Sequence, residues 1–197
     1  MLALVRKVTD AMLDFAPNHV RPAEKCVFRI YRDTRFSPNK APYKTHIGAW
    51  WPRHGCEKVS GAGFYFQIDA QSVLIAAGAW MPEKDQLASI RHWLVDNHES
   101  FRKLLRGAAL KKAFSEFEGN PLVRAPKGFD PEHPAMDLVR CRQWGISATL
   151  PTEVALDAKL AATVVRYFKL AAPVVDALNE PILAVSAPKK KVLFGLR

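Results

Sequence analysis

Two hydrophobic periods alternate along this chain and divide it into elements. Leu2, Val5, Met12 and Phe15 recur at helical spacing with Asp10 and Asp14 between them, which predicts an amphipathic N-terminal helix. No long apolar core or small-residue cleavage site follows, so the segment does not read as a signal peptide. Pro17 and Pro22 bound a connector. Four stretches then read as strands: Phe28–Phe36 and Gly63–Asp69 alternate, Thr45–Trp51 is short and aromatic, and Val73–Trp80 is small and apolar. Ala70-Gln71-Ser72 has the length of a hairpin loop, and Pro52, Gly55, Gly61 and Gly63 punctuate the preceding connector.

From Pro82 the period changes. Leu87, Ile90, Leu94, Phe101 and Leu105 predict a helix that Gly107 ends or kinks, followed by a shorter one over Leu110–Phe117. Asn120–Phe129 is loop. Asp130-Pro131-Glu132 reads as a cap, a first-turn proline and a first-turn acid, opening a helix to about Arg140. Trp144–Leu150 is a further strand. Thr152 is then expected to cap a long helix with core face Leu160, Val164, Phe168, Val175 and Leu178, kinked near Pro173. This order predicts an α+β fold, an antiparallel sheet of four to five strands with helices packed on one face. One domain is expected over residues 1–185, followed by a basic tail over 186–197.

Composition narrows the class. With 49% hydrophobic and 24% charged residues in 197, the chain is neither disordered nor a disulfide-stapled miniprotein. No apolar run reaches the roughly 18 residues of a membrane span, and a cytoplasmic protein is the default. Lys and Arg number 29 against 19 Asp and Glu, a net charge of +10 that favours anionic partners. The tail from Ser186 to Arg197 holds four cations and no acid, leaving +6 for the rest. Cys26, Cys56 and Cys141 are odd in number and widely spaced, which fits neither a disulfide framework nor a closed zinc site. His46, His54 and Cys56 match no metal-ligand spacing, so no metal and no cofactor are expected.

The most concentrated chemistry lies in Arg29–Lys44, RIYRDTRFSPNKAPYK, with five cations, one acid, two tyrosines and a phenylalanine in sixteen positions. On an extended strand Phe28, Ile30, Arg32, Thr34 and Phe36 share one face, and Arg29, Tyr31, Asp33 and Arg35 the other. Arg32 thus falls among apolar neighbours, where a guanidinium persists only with its donors satisfied. It is either the inner half of an ion pair or the floor of an anion site. Arg29 and Arg35 stand about 20 Å apart along a strand and cannot grip one phosphate together.

Neighbouring strands can complete a site. His46 and Trp50 share a face, as do Tyr65, Gln67 and Asp69. In the right register these join Tyr31, Asp33 and Arg35 in a polar platform; the same pattern also fits a plain solvent-facing sheet. Lys40 and Lys44, flanking Pro42 and Tyr43, either hold phosphate oxygens or are simply exposed.

These residues resemble the signature of a bacterial conserved-hypothetical family, marked by Arg-x-x-Arg-Asp-x-Arg-Phe followed by Asp or Asn, Lys, and Tyr. The matching positions are Arg29, Arg32, Asp33, Arg35, Phe36, Asn39, Lys40 and Tyr43. AGAWMPE (Ala77–Glu83) and PKGFDPEHP (Pro126–Pro134) resemble the second and third motifs, and the similarity runs from Phe28 to Pro181. Relatives begin with a further Asn-Asn and Trp-Phe element, so part of a site or packing helix is expected to be replaced here. The resemblance implies that the three motifs travel together, and it transfers no catalytic residue. In the third, Lys127 and Asp130 lead into an expected helix N-terminus that favours an anion unless Asp130 itself caps it.

Three function classes remain. The first is a binding module for an anionic, phosphate-bearing small molecule or nucleic acid, using Arg29, Arg32, Asp33, Arg35, Lys40, Tyr43 and Lys44, with contributions from Tyr31, His46, Trp50, Lys127 and Asp130. The second is an enzyme acting on a phosphate or acyl substrate, with Asp33 or His46 as base; no phosphate-binding loop, nucleophile elbow or dinucleotide fingerprint supports it. The third is an interaction domain in which Arg32 and Asp33 staple the sheet to the region of Asp130 and Glu132. The binding module ranks first.

Overall fold

A computed structural model describes residues 1–33, 35, 38, 40–56 and 61–186. Five strands, β1 (His46–Pro52), β2 (Ala62–Asp69), β3 (Ser72–Ala79), β4 (Glu116–Glu118) and β5 (Trp144–Pro151), form one antiparallel sheet in the order β1-β2-β3-β5-β4. The helices are α1 (Leu2–Met12), α2 (Ala23–Cys26), α3 (Lys84–Leu105), α4 (Ala108–Ala113), α5 (Met136–Val139) and α6 (Leu160–Ser186), with 3-10 turns at Pro17–His19 and Thr152–Leu156. The fold is α+β.

Alternation decides which side of the sheet is covered. Ala49, Trp51, Phe64, Phe66, Val73, Ile75, Ala77, Ile146 and Ala148 point to one side and are buried. There α6 lies across β2 and β3, and Phe168 packs its ring 5.2 Å from that of Trp51 and 5.0 Å from that of Phe64. Two polar contacts fix this packing. Asn179 of α6 accepts from the Ala62 amide and donates to the Ala62 carbonyl, both at 3.1 Å. Trp51 Nε1 donates to Thr9 Oγ1 of α1 at 2.8 Å. Helix α3 begins in a capping box between Glu83 and Gln86 and lies against α6, where Ser89 Oγ donates to the Pro181 carbonyl at 2.7 Å.

Four sequence expectations are corrected. Phe28–Phe36 is not a strand of the sheet. After Phe28 N donates to Gly48 O, the segment folds onto itself, Lys44 N donating to Ile30 O and Arg32 N to Pro42 O, with a Tyr31–Tyr43 bridge. Pro38 and Pro42 offer no N–H to a partner strand, and Arg29, Ile30, Tyr31 and Asp33 are all exposed, so these described residues past Phe28 bury no apolar face against the sheet. Thr34 and Phe36 lie outside the described residues. Asp130 opens no helix: its Oδ1 accepts from Glu132 N at 3.0 Å in a turn, and helical structure waits until Met136, beyond Pro131 and Pro134. Thr152 does not cap the long helix; its hydroxyl donates to Asp69 O at 3.3 Å, and α6 starts only at Leu160, where Asp157 Oδ1 accepts from Lys159 N. The helix expected over Leu110–Phe117 stops at Ala113, and Glu116–Glu118 forms the edge strand β4. Helix α6 continues through Pro173 and Pro181. No described helix is long and apolar enough to cross a membrane.

Candidate functional site

The side of the sheet that faces away from α6 carries the candidate site. Register aligns Trp50 with Tyr65, Ala76 and Ser147, and aligns Gly63 with Gly78 and Gly145. Three neighbouring strands thus present glycine in one row, a lane without side chains. The Trp50 ring lies over Gly63, since a Cβ there would meet its ring carbons at 2.9 and 3.0 Å. Trp80 lies over Gly145, its Cε3 3.9 Å from where a Cβ would stand. Those glycines are two strands apart, about 10 Å. Between the indoles, Ala76 and Gly78 floor a cavity of about 530 Å³ whose walls also include Phe28, Tyr65, Leu74, Met81 and Glu118. That is the size of a small-molecule pocket, and aromatic walls with few polar groups are the usual lining of one.

Its polar groups are unevenly placed. On the β2 side Tyr65 donates its hydroxyl to Gln67 Oε1 at 2.6 Å, Gln67 Nε2 donates to Asp69 Oδ2 at 3.3 Å, and burial pushes the Tyr65 phenol up. Asp69 is occupied by the backbone amides of Gln71 and Ser72, which hold its carboxyl below the usual range. Trp50 is 8% exposed and its Nε1 has no hydrogen-bond partner among the described residues. At the β4 edge Ser147, 2% exposed, donates to Glu118 Oε1 at 2.8 Å. Met81, at the rim, has φ +48°, a left-handed conformation rare for a residue of its kind.

The residues singled out from the sequence divide into two groups. Trp50 lines the cavity, and Lys44 holds its Nζ 5.3 Å over the ring of Phe28, itself in the wall and 6.2 Å from the ring of Tyr65. His46 stands on the same sheet face, opposite Asp69 on β2. Elsewhere in the basic segment, described residues pair with one another, Ile30 with Lys44, Arg32 with Pro42 and Tyr31 with Tyr43. Arg35 donates through Nε and a terminal nitrogen to both Asp33 oxygens, at 2.9 and 2.7 Å, and both residues are exposed. That pairing holds the Asp33 carboxyl below the usual carboxylate range, which removes it as a base at neutral pH. Tyr31 and Tyr43 lie ring to ring at 5.5 Å, both exposed, as are Arg29 and Lys40, while Arg32 is half-buried rather than set in the core. The platform expected from Tyr31, Asp33 and Arg35 on the sheet therefore does not form, although Trp50, Tyr65, Gln67 and Asp69 do share a face.

Lys127 and Asp130 are exposed and belong to the helix side. Their loop packs on α3, where Phe129 stacks 4.8 Å from His92, while Arg102 grips the Asp137 carboxylate and the Pro134 carbonyl. The second motif does enter the site, supplying Gly78, Trp80 and Met81. Glu118 gave no signal, because a three-residue strand is too short to show a period.

No curated protein and no solved structure matches the chain. A family model described as a conserved hypothetical protein matches residues 1–176, which carry every residue of the cavity and of the basic segment. The chain belongs to the conserved hypothetical protein family DUF2461.

Proposed function

We propose that the protein is a small-molecule binding module whose ligand seats a flat apolar body in the cavity and turns a phosphate-type anion toward the basic segment. One observation carries this reading: Phe28, the residue immediately before that segment, is a wall of the cavity, and Lys44, the last residue of the segment, lies over its ring. The aromatic walls supply stacking and apolar burial, which a free phosphate cannot use. Lys44, over the Phe28 wall, supplies a charge that an apolar ligand cannot use. A molecule with both parts gains from both.

Calorimetric titration with 1-naphthyl phosphate, 1-naphthol and inorganic phosphate tests it. The ester is expected to bind most tightly. Lys44→Ala should remove the advantage of ester over alcohol, and Ala76→Leu, which fills the floor, should abolish binding of both. Inorganic phosphate binding as tightly as the ester, and unchanged in Ala76→Leu, would sink the proposal by placing the anion on the basic segment alone.

A further inference from the structure

We infer that the cavity is built for a bipolar ligand, with a protonated amine or similarly strong donor held by Glu118 at the end opposite the anion; this rests on the reading above. The sheet order puts β1 and β4 at opposite edges, four strand spacings or about 19 Å apart. Two donors stand at the β1 edge: Trp50 Nε1–H has no partner among the described residues, and Lys44 Nζ lies over the ring of Phe28. The acceptor stands at the β4 edge. Among the described residues of the lining, Glu118 is the one that is charged, the others being aromatic, aliphatic or glycine.

The state of that carboxylate points to a ligand. The buried Ser147 hydroxyl holds Oε1, while Oε2 has no partner and Glu118 forms no ion pair among the described residues. A carboxylate with one oxygen fixed by a buried hydroxyl and the other open is oriented to accept a charge-assisted bond. The aromatic lane between the edges suits the body of the ligand, and the ring faces of Trp50 and Trp80 also favour a cation passing over them. The ligand class is thus a ring-bearing molecule with an amine at one end and an anion at the other.

The test compares 1-naphthylmethylamine with 1-naphthylmethanol, equal in shape and different in charge, by calorimetry at pH 7. The amine is expected to bind the wild-type protein about ten-fold more tightly. In Glu118→Gln, which keeps an acceptor for Ser147, amine and alcohol should bind alike, while 1-naphthyl phosphate binds as well as before or better. Equal binding of amine and alcohol to the wild-type protein overturns the inference, even where 1-naphthyl phosphate still binds and the function proposed above stands. Failure of all the naphthyl probes overturns both. An amine preference that persists in Glu118→Gln overturns the assignment to Glu118.

Discussion

At the scale of single residues, His19 shows how burial converts a side chain into a pH sensor of stability. It is 1% exposed, its Nδ1–H donates to the Trp51 carbonyl at 3.0 Å, and its ring lies edge-on to Phe64 at 4.9 Å. Desolvation, reinforced by Arg53, His54 and Arg21 nearby, drives its pKa down from 6.5 to about 4 despite the opposing bond to Trp51. The unfolded chain therefore binds a proton between these values that the folded protein refuses. Stability from this residue is complete above pH 6.5 and drains away as pH falls toward 4, by about 3 kcal/mol in total. Denaturant midpoints at pH 7.5 and pH 4.5 should differ accordingly, and His19→Asn, which keeps a donor for Trp51 without titrating, should flatten the difference. An unchanged slope in that variant would assign the acid sensitivity elsewhere. Nothing in the sequence marked His19, because a lone histidine between Asn18 and Val20 has no pattern; only the closure of β1 over it removes its water.

At the scale of elements, glycine and asparagine set how closely strands and helices approach. Gly78 has φ +129°, and a Cβ there would stand 2.1 Å from the Trp144 carbonyl of β5. Gly78→Ala must separate β3 from β5 or twist the strand, and a loss of at least about 3 kcal/mol is expected in chemical denaturation. Gly145→Ala, whose Cβ would meet nothing nearer than 3.8 Å, is the control and should change stability by less than about 1 kcal/mol. Asn179→Ala should lose about 2–3 kcal/mol, since it leaves the buried Ala62 amide and carbonyl without their side-chain partner. Most elements were readable from periodicity, although the capping pair Glu83 and Gln86 that opens α3 was not. Two of the failures share a cause: prolines at 38, 42, 131 and 134 interrupt hydrogen bonding more than local alternation or capping signals promote it.

At the scale of the whole molecule, the layers give the two faces of the sheet opposite duties. The helix-covered face carries the core, so substitutions there are felt as lost packing. The other face is free of that duty at Ala76, which is half-buried on the cavity floor. Ala76→Leu should therefore abolish ligand binding while shifting the thermal midpoint by no more than about 1 kcal/mol equivalent. A much larger loss would mean that the lane is closely packed rather than open.

Periodicity and charge are local properties, and they sufficed for the α+β class, for β1, β2, β3 and β5, for helices α1 and α3, and for the concentration of cations at Arg29–Lys44. The sequence by itself also marked Trp50 and the segment Ala77–Glu83. Only the tertiary structure decided that Gly63, Gly78 and Gly145 align, that Trp50 and Trp80 stand over them, and that Glu118 closes the far end. Those positions come from five separate segments, and strand order and register, which no local pattern encodes, are what bring them together. Asp33 and Arg35 pair locally, while the hydrogen bond from Phe28 N to Gly48 O brings Phe28, with Lys44 over its ring, to the β1 edge.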